Sequence, residues 1–272
     1  MKKVIFSISV MLMSAGAFAQ ANFSNVLQTG TGNASDVDQF GLLNSSDVNQ
    51  DGTTNMSGVD QVGAFNDSYV NQVGDSNDSQ VTQTGLANLS EVDQYGLANV
   101  SDVTQDGFFN YASVFQWGEG NESDVNQYGF FNEADVFQVG NYNYAYVMQD
   151  GDFNLSQQIQ FGDNNDAEAY QYGADNYSGQ EQVGTNNLAL AYQDGTSNTS
   201  YQIQFGDYNL AYHDQYGSDN LAITTQDGTD NWSFIFQDGN SNTAWTNQEN
   251  LSHTSVVTQN GDSNYSLVNQ NN

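Results

Sequence analysis

The residues best placed to do chemistry in this chain are side-chain amides. Gln occupies position 28 and every eleventh position through Gln270, 23 in all. Gly follows two places after each from Gly30 to Gly261, with Asn250 the exception. Asn follows five places after each from Asn33 to Asn264, with His253 the exception. A primary amide is both donor and acceptor, so identical copies stacked above one another bond into a ladder. An ionised carboxylate only accepts and cannot do this. A buried amide without partners costs roughly 2–7 kcal/mol, so such a ladder has to be continuous. The chemistry on offer is therefore noncovalent assembly. The candidate ladder residues are Gln28, Gln39, Gln50, Gln127, Gln138, Gln149 and Gln270, with Asn33, Asn44, Asn55, Asn132, Asn143 and Asn264. The candidate turn glycines are Gly30, Gly41, Gly52, Gly129 and Gly140.

Groups for catalysis are scarce. There is no Cys, and only two His are present. His213 lies in a Val column and His253 in the Asn column, so both read as interior fillers rather than bases. Paired acids such as Asp36 and Asp38 point outward in unit after unit, as solvated faces do, and form no acid/base pair. No phosphate loop or nucleophile motif occurs. An enzyme is not expected, and neither is a cofactor. The glycine-rich nonapeptide of calcium-binding solenoids is absent, which leaves weak Ca²⁺ bridging by outer carboxylates as the one metal expectation. An ice-binding face would need an outward Thr array, but the mid-strand outer column reads Asp36, Asp47, Gly58, Tyr69, Gln80. Matches to N-x-S, such as Asn33-Ala34-Ser35, are by-products of two fixed columns rather than glycosylation sites.

The elements that hold the amides follow from spacing. Each unit reads N-x-S/A-x-V-x-Q-x-G-x-x, as in NASDVDQFGLL (33–43). Positions two apart share one face of a strand, and the Gly marks a bend. The expectation is a seven-residue strand and a four-residue turn. None of the 33 acids, and none of the 33 aromatics beyond residue 20, falls in the Asn, Ser/Ala, Val, Gln or Gly columns. Chance would put roughly 30 of those 66 there. The interior is thus narrow, and the aromatics sit outside, free to vary.

One 11-residue strand cannot circle back to its start, so two facing strands make a 22-residue coil. The Val column is unbroken from Val26 to Val147 and then reads Gln158, Ala169, Gln180, Ala191, Gln202. Large would then face small across the core, as close packing requires. In the column after Gln, 22-residue steps read Asp106, Tyr128, Asp150, Tyr172, Asp194, Tyr216. Alternation with Tyr doubles the Asp spacing to about 10 Å, near the Debye length at 0.1 M salt. The fold expected is an all-β, two-sheet β-solenoid of 23 strands and about 11.5 coils, roughly 55 Å long and amyloid-forming.

Residues 1–19 read as an export signal: Lys2 and Lys3, the apolar run VIFSISVMLM, then Ala17-Phe18-Ala19. Residues 20–272 are the repeat solenoid. Beyond the signal no Lys or Arg remains, against 33 acids in a chain of net charge −31. Such a chain repels nucleic acid. Absence of Cys means the exported fold holds without disulfides, and absence of Pro suits unbroken sheets. The repeat starts at Asn22 and reaches Gln270 with no apparent cap, so both ends are expected to recruit further copies.

Units such as NLSEVDQYGLA (88–98) and NESDVNQYGFF (121–131) resemble the curlin repeat, whose family forms curli, bacterial extracellular amyloid fibres. The resemblance covers nearly all of the chain after the signal. It implies a fimbria-like, cell-surface fibre subunit, exported through the periplasm and an outer-membrane secretion channel with accessory chaperones. It also implies polymerisation on a nucleator, serving adhesion and biofilm matrix. Two features depart from the family pattern: almost no non-repeat segment follows the signal, and Lys and Arg are missing from the repeats. The major fibre subunit is the expected role; the alternatives are the minor, nucleating curlin and a monomeric secreted acidic solenoid that binds cations or surfaces.

Overall fold

A computed structural model describes residues 21–271; the expected export signal, residues 1–19, lies outside the described residues. Nine-residue strands recur at 11-residue steps: β1 (Phe23–Thr31), β2 (Ala34–Leu42), β3 (Ser45–Thr53), and so on to β21 (Thr243–Leu251). Two seven-residue strands, β22 (Thr254–Asn260) and β23 (Tyr265–Asn271), end the series. Odd strands form a 12-stranded sheet and even strands an 11-stranded sheet. Every neighbour is parallel, with residue i beside residue i+22, as in Gln28↔Gln50 and Gln248↔Gln270. The alternation holds the chain in this register: a one-residue slip would turn the amides out and the acids in.

The expected seven-residue strand and four-residue turn need correction. From β1 to β21 the strand runs through the glycine column and the link is two residues long; only β22 ends before its glycine, with a four-residue link, 261–264, to β23. Gly41 sits inside β2 with φ +128°, bending the strand without breaking its ladder. The reversal comes from the next link residue, which adopts the left-handed conformation. At every non-glycine link position, from Leu43 to Ser263, φ is +54° to +59°. Coil-to-coil bonds continue round this corner: Phe131 N–H donates to Phe108 O at 3.0 Å, and Glu133 N–H to Asn154 O at 2.9 Å. Those bonds hold even Phe in a conformation that L residues otherwise avoid.

Within the first 150 residues the two sheets meet through Val. Val48 to Val147 of the Val column, with Ala112, Ala134 and Ala145, form one buried cluster. The Ser column asks only for small volume, since Ser46, Ser68 and Ser90 bury hydroxyls that find no partner. Beyond Val147 large does face small, as the sequence requires. Gln158 of β13 (Leu155–Asp163) reaches across the core to Tyr146 O at 2.8 Å and Ala167 O at 3.0 Å. Ala169 of β14 (Asp166–Ala174) leaves the room for it. Gln158, Gln180 and Gln202 stack in turn, at 2.8 and 2.9 Å.

Candidate assembly site

The Gln column forms two continuous ladders. Gln28 Nε2 donates to Gln50 Oε1 at 2.7 Å, and the series runs without a gap through Gln116, Gln138 and Gln160 to Gln248 and Gln270. Gln39 begins the second ladder, which passes through Gln127 and Gln149 to Gln259. The second amide hydrogen goes to a backbone carbonyl 16 residues back, as from Gln127 to Tyr111 O at 2.8 Å. From Gln50 to Gln248 these side chains are fully buried, so each rung replaces water with two fixed partners.

The Asn column supports the corner. Asn132 N–H donates to Asn110 Oδ1 at 3.0 Å, and Asn132 Nδ2 to Gly151 O at 2.7 Å. Asn143 repeats this on Asn121 and Gly162, and Asn264 N–H bonds Asn242 Oδ1 at 2.9 Å. Asn33, Asn44 and Asn55 act alike on Gly52, Gly63 and Gly74. The glycine requirement has the same origin. A Cβ on Gly129 would stand 2.1 Å from Gly151 O, the carbonyl that Asn132 reaches. Gly30, Gly41, Gly52 and Gly140 meet the next coil's carbonyl in the same way, at 1.7–1.9 Å. The candidate ladder and turn residues join one hydrogen-bonded lattice, whose Gln and Asn side chains are buried along most of the stack and exposed at Gln28 and Asn264.

The ladders are polar and end differently. Among the described residues, Gln28 and Gln39 have no ladder donor to their Oε1. Gln259 and Gln270 have no Gln acceptor beyond them and donate to Thr243 O and Thr254 O alone. One end of the stack thus shows acceptors and the other donors. Among the described residues β1 and β23 are the outermost strands of one sheet and β2 and β22 of the other, each with one edge unpaired.

Two features escape sequence reading. His213 does fill an interior slot, but it also bonds. It lies in β18 (Leu210–Ser218), fully buried, with Ser200 Oγ 2.7 Å from Nδ1 and Thr224 Oγ1 2.8 Å from Nε2. Burial drops its pKa to about 3, so the ring is neutral, donating at one nitrogen and accepting at the other. Its partners come from the facing sheet, which only the 22-residue register could have located. His253 extends its Asn column by a backbone N–H to Asn231 Oδ1 at 3.1 Å.

The outer face is acidic and partly shielded. Register places Asp102 beside Asp124, and burial, then the neighbouring Asp124 charge, raises the Asp102 pKa. Burial, then Glu168, raises Asp166 to about 6, and its Oδ1 is buried without a partner. Tyr128 alternates with Asp106 and Asp150 as the spacing implied. Among the described residues no three His, Asp or Glu side chains gather as a metal site.

The profile of a family described as "Curlin associated repeat" matches residues 55–85, 98–129, 132–157, 162–195 and 217–249, more than half of the chain. No match was found among curated proteins.

Proposed function

The chain belongs to the curlin repeat family, and on that premise we propose that it is a structural, non-enzymatic subunit of a secreted curli-type amyloid fibre. One observation carries this reading: the Gln ladders are unbroken, and they end with acceptors on Gln28 and Gln39 and donors on Gln259 and Gln270. Donor meets acceptor only if copies add head to tail; head-to-head contact would set Oε1 against Oε1. The open strand edges at both ends offer backbone groups to the same addition.

In this reading residues 1–19 are a removable export signal and the rest is a single solenoid. The fibre forms at the cell surface and serves adhesion and biofilm matrix, on a nucleator and through a channel with chaperones like those of the family. Divalent cations such as Ca²⁺ bind weakly across stacked pairs like Asp102 and Asp124. The test is direct: purified chain lacking residues 1–19 is expected to form fibres with a meridional spacing of about 4.8 Å and to be accelerated by its own sheared fibres. A chain that stays monomeric with seeds present would refute the proposal.

A further inference from the structure

The two long edges of the flattened solenoid differ. Each edge is built from the last strand residue and the link residue of successive coils. On the edge that leaves the even strands, six phenylalanines lie close together: Phe65, Phe108, Phe109, Phe130, Phe131 and Phe153. Their exposure runs from 39% for Phe108 to 55% for Phe153. Leu and Ala fill the remaining places of this edge back to Leu42, and the first acid on it is Asp152. The opposite edge at the same height carries Asp75, Glu119 and Asn141, and the same edge further along carries Asp175 and Asp219.

The rings are ordered by the register. Phe108 and Phe130 stack with centroids 5.0 Å apart at 5°; Phe109 and Phe131 stack at 5.0 Å and 6°, and Phe131 and Phe153 at 5.2 Å and 6°. Within each stacked pair the facing surfaces cover one another, which leaves less open aromatic face for a sugar or similar ligand. Phe65, Phe109, Phe131 and Phe153 also hold φ of +55° to +58°, where Ser197, Asp219 and Ser241 serve in the same column. A bulky apolar side chain there opposes both backbone preference and solvation.

We propose that this edge is a lateral docking surface for the same edge of a second copy, so that two solenoids run side by side. Three observations select that occupant. Half-exposed Phe rings of about 200 Å² each, with the adjoining Leu residues, leave about 600–800 Å² of apolar strip, close to the ~800 Å² per partner of a stable interface. A second copy carries the same 33 acids and is repelled at faces that bear them, whereas this stretch has none before Asp152. A second copy also repeats its rungs at the same spacing, so apolar side chains can meet at successive levels along the strip. The contact is perpendicular to head-to-tail addition and goes beyond it.

The experiment is mass per length of wild-type fibres by scanning transmission electron microscopy, beside F109S/F131S/F153S. Ser already occupies this column with the same φ at Ser197 and Ser241, so the variant keeps its fold. Wild type is expected at twice the value of a single stack and the triple variant at the single value. The opposite-edge variant Tyr142→Ser, with φ +56° at its site, is expected to stay paired. Should no fibres form, sedimentation equilibrium reads the contact alone: dimer for wild type, monomer for the triple variant. Unpaired wild type, or a variant that stays paired, would overturn the proposal. So would unpaired wild type that binds phosphatidylcholine vesicles through this strip, which would assign it to lipid.

Discussion

Gln127 Nε2 donates to Gln149 Oε1 at 2.9 Å while Gln127 Oε1 accepts from Gln105 at 2.9 Å, all three side chains being fully buried. Cutting one rung therefore strands two neighbours. Gln127→Ala is expected to cost about 2–4 kcal/mol, read as a lower urea midpoint of the soluble chain. Gln28→Ala and Gln270→Ala sit at the exposed ends, and there stability should hardly move while seeded elongation slows several-fold. Equal effects of all three on elongation, with equal midpoints, would contradict the distinction between interior and terminal rungs.

Gly140 has φ +128°, and a Cβ there would lie 1.9 Å from Gly162 O. Backbone on the next coil cannot give way without moving the corner. Gly140→Ala should cost at least about 2–4 kcal/mol. Asn250 fills the glycine column with φ +79° at the penultimate coil, so Asn250→Gly should raise stability rather than lower it. Urea titrations of both variants check the sign.

Buried His213 makes the core acid-sensitive. Its folded pKa is lowered to about 3 from an ordinary 6.5, so the unfolded chain takes up a proton the folded chain refuses. Stability on this count is complete above pH 6.5 and falls as pH drops from 6.5 towards 3. The slope is about 1.4 kcal/mol per pH unit. His213→Ala leaves buried Ser200 without its partner and Thr224 with Ser233 alone, and is expected to be less stable at pH 7. It should lack this acid slope, seen by comparing urea midpoints at pH 7 and pH 4.5.

The carboxylates pull the other way. Burial, then Glu168, raises Asp166 to about 6, and burial leads the upward shifts of Asp102, Asp124 and Asp135. A raised acid pKa means the folded stack binds protons first, so these groups add stability as pH falls, in the case of Asp166 from about 6 towards 4. Fibre growth should quicken between pH 7 and pH 5.5. Asp166→Asn should grow faster than wild type at pH 7 and respond less to acid. Thioflavin kinetics that ignore both pH and this substitution would contradict the assignment.

Much of this architecture is readable in the chain because period-two alternation leaves one choice of face, and the 22-residue coil is the shortest that closes. Strand length is not readable. Gly41 looks like a break, yet parallel neighbours in register keep its backbone paired. The left-handed link is hidden too, since Leu43 and Phe131 stand where Asn or Gly would have marked it. His213 reads as a filler, while its bonds to Ser200 and Thr224 depend on the facing sheet. The outer aromatics look free to vary, but steps of 22 residues put Phe109, Phe131 and Phe153 in one stack.

The most direct measurement is a cryo-EM map of fibres resolved at the boundary between copies. An odd number of strands places β1 and β23 in the same sheet, so the next copy must turn about 180° round the axis for strands to keep alternating. The expected map shows that rotation, with Gln259 of one copy stacked on Gln28 of the next and Gln270 on Gln39. Neighbours related by translation and a small twist, or a boundary where the Gln ladders fail to meet, would contradict assembly by ladder continuation.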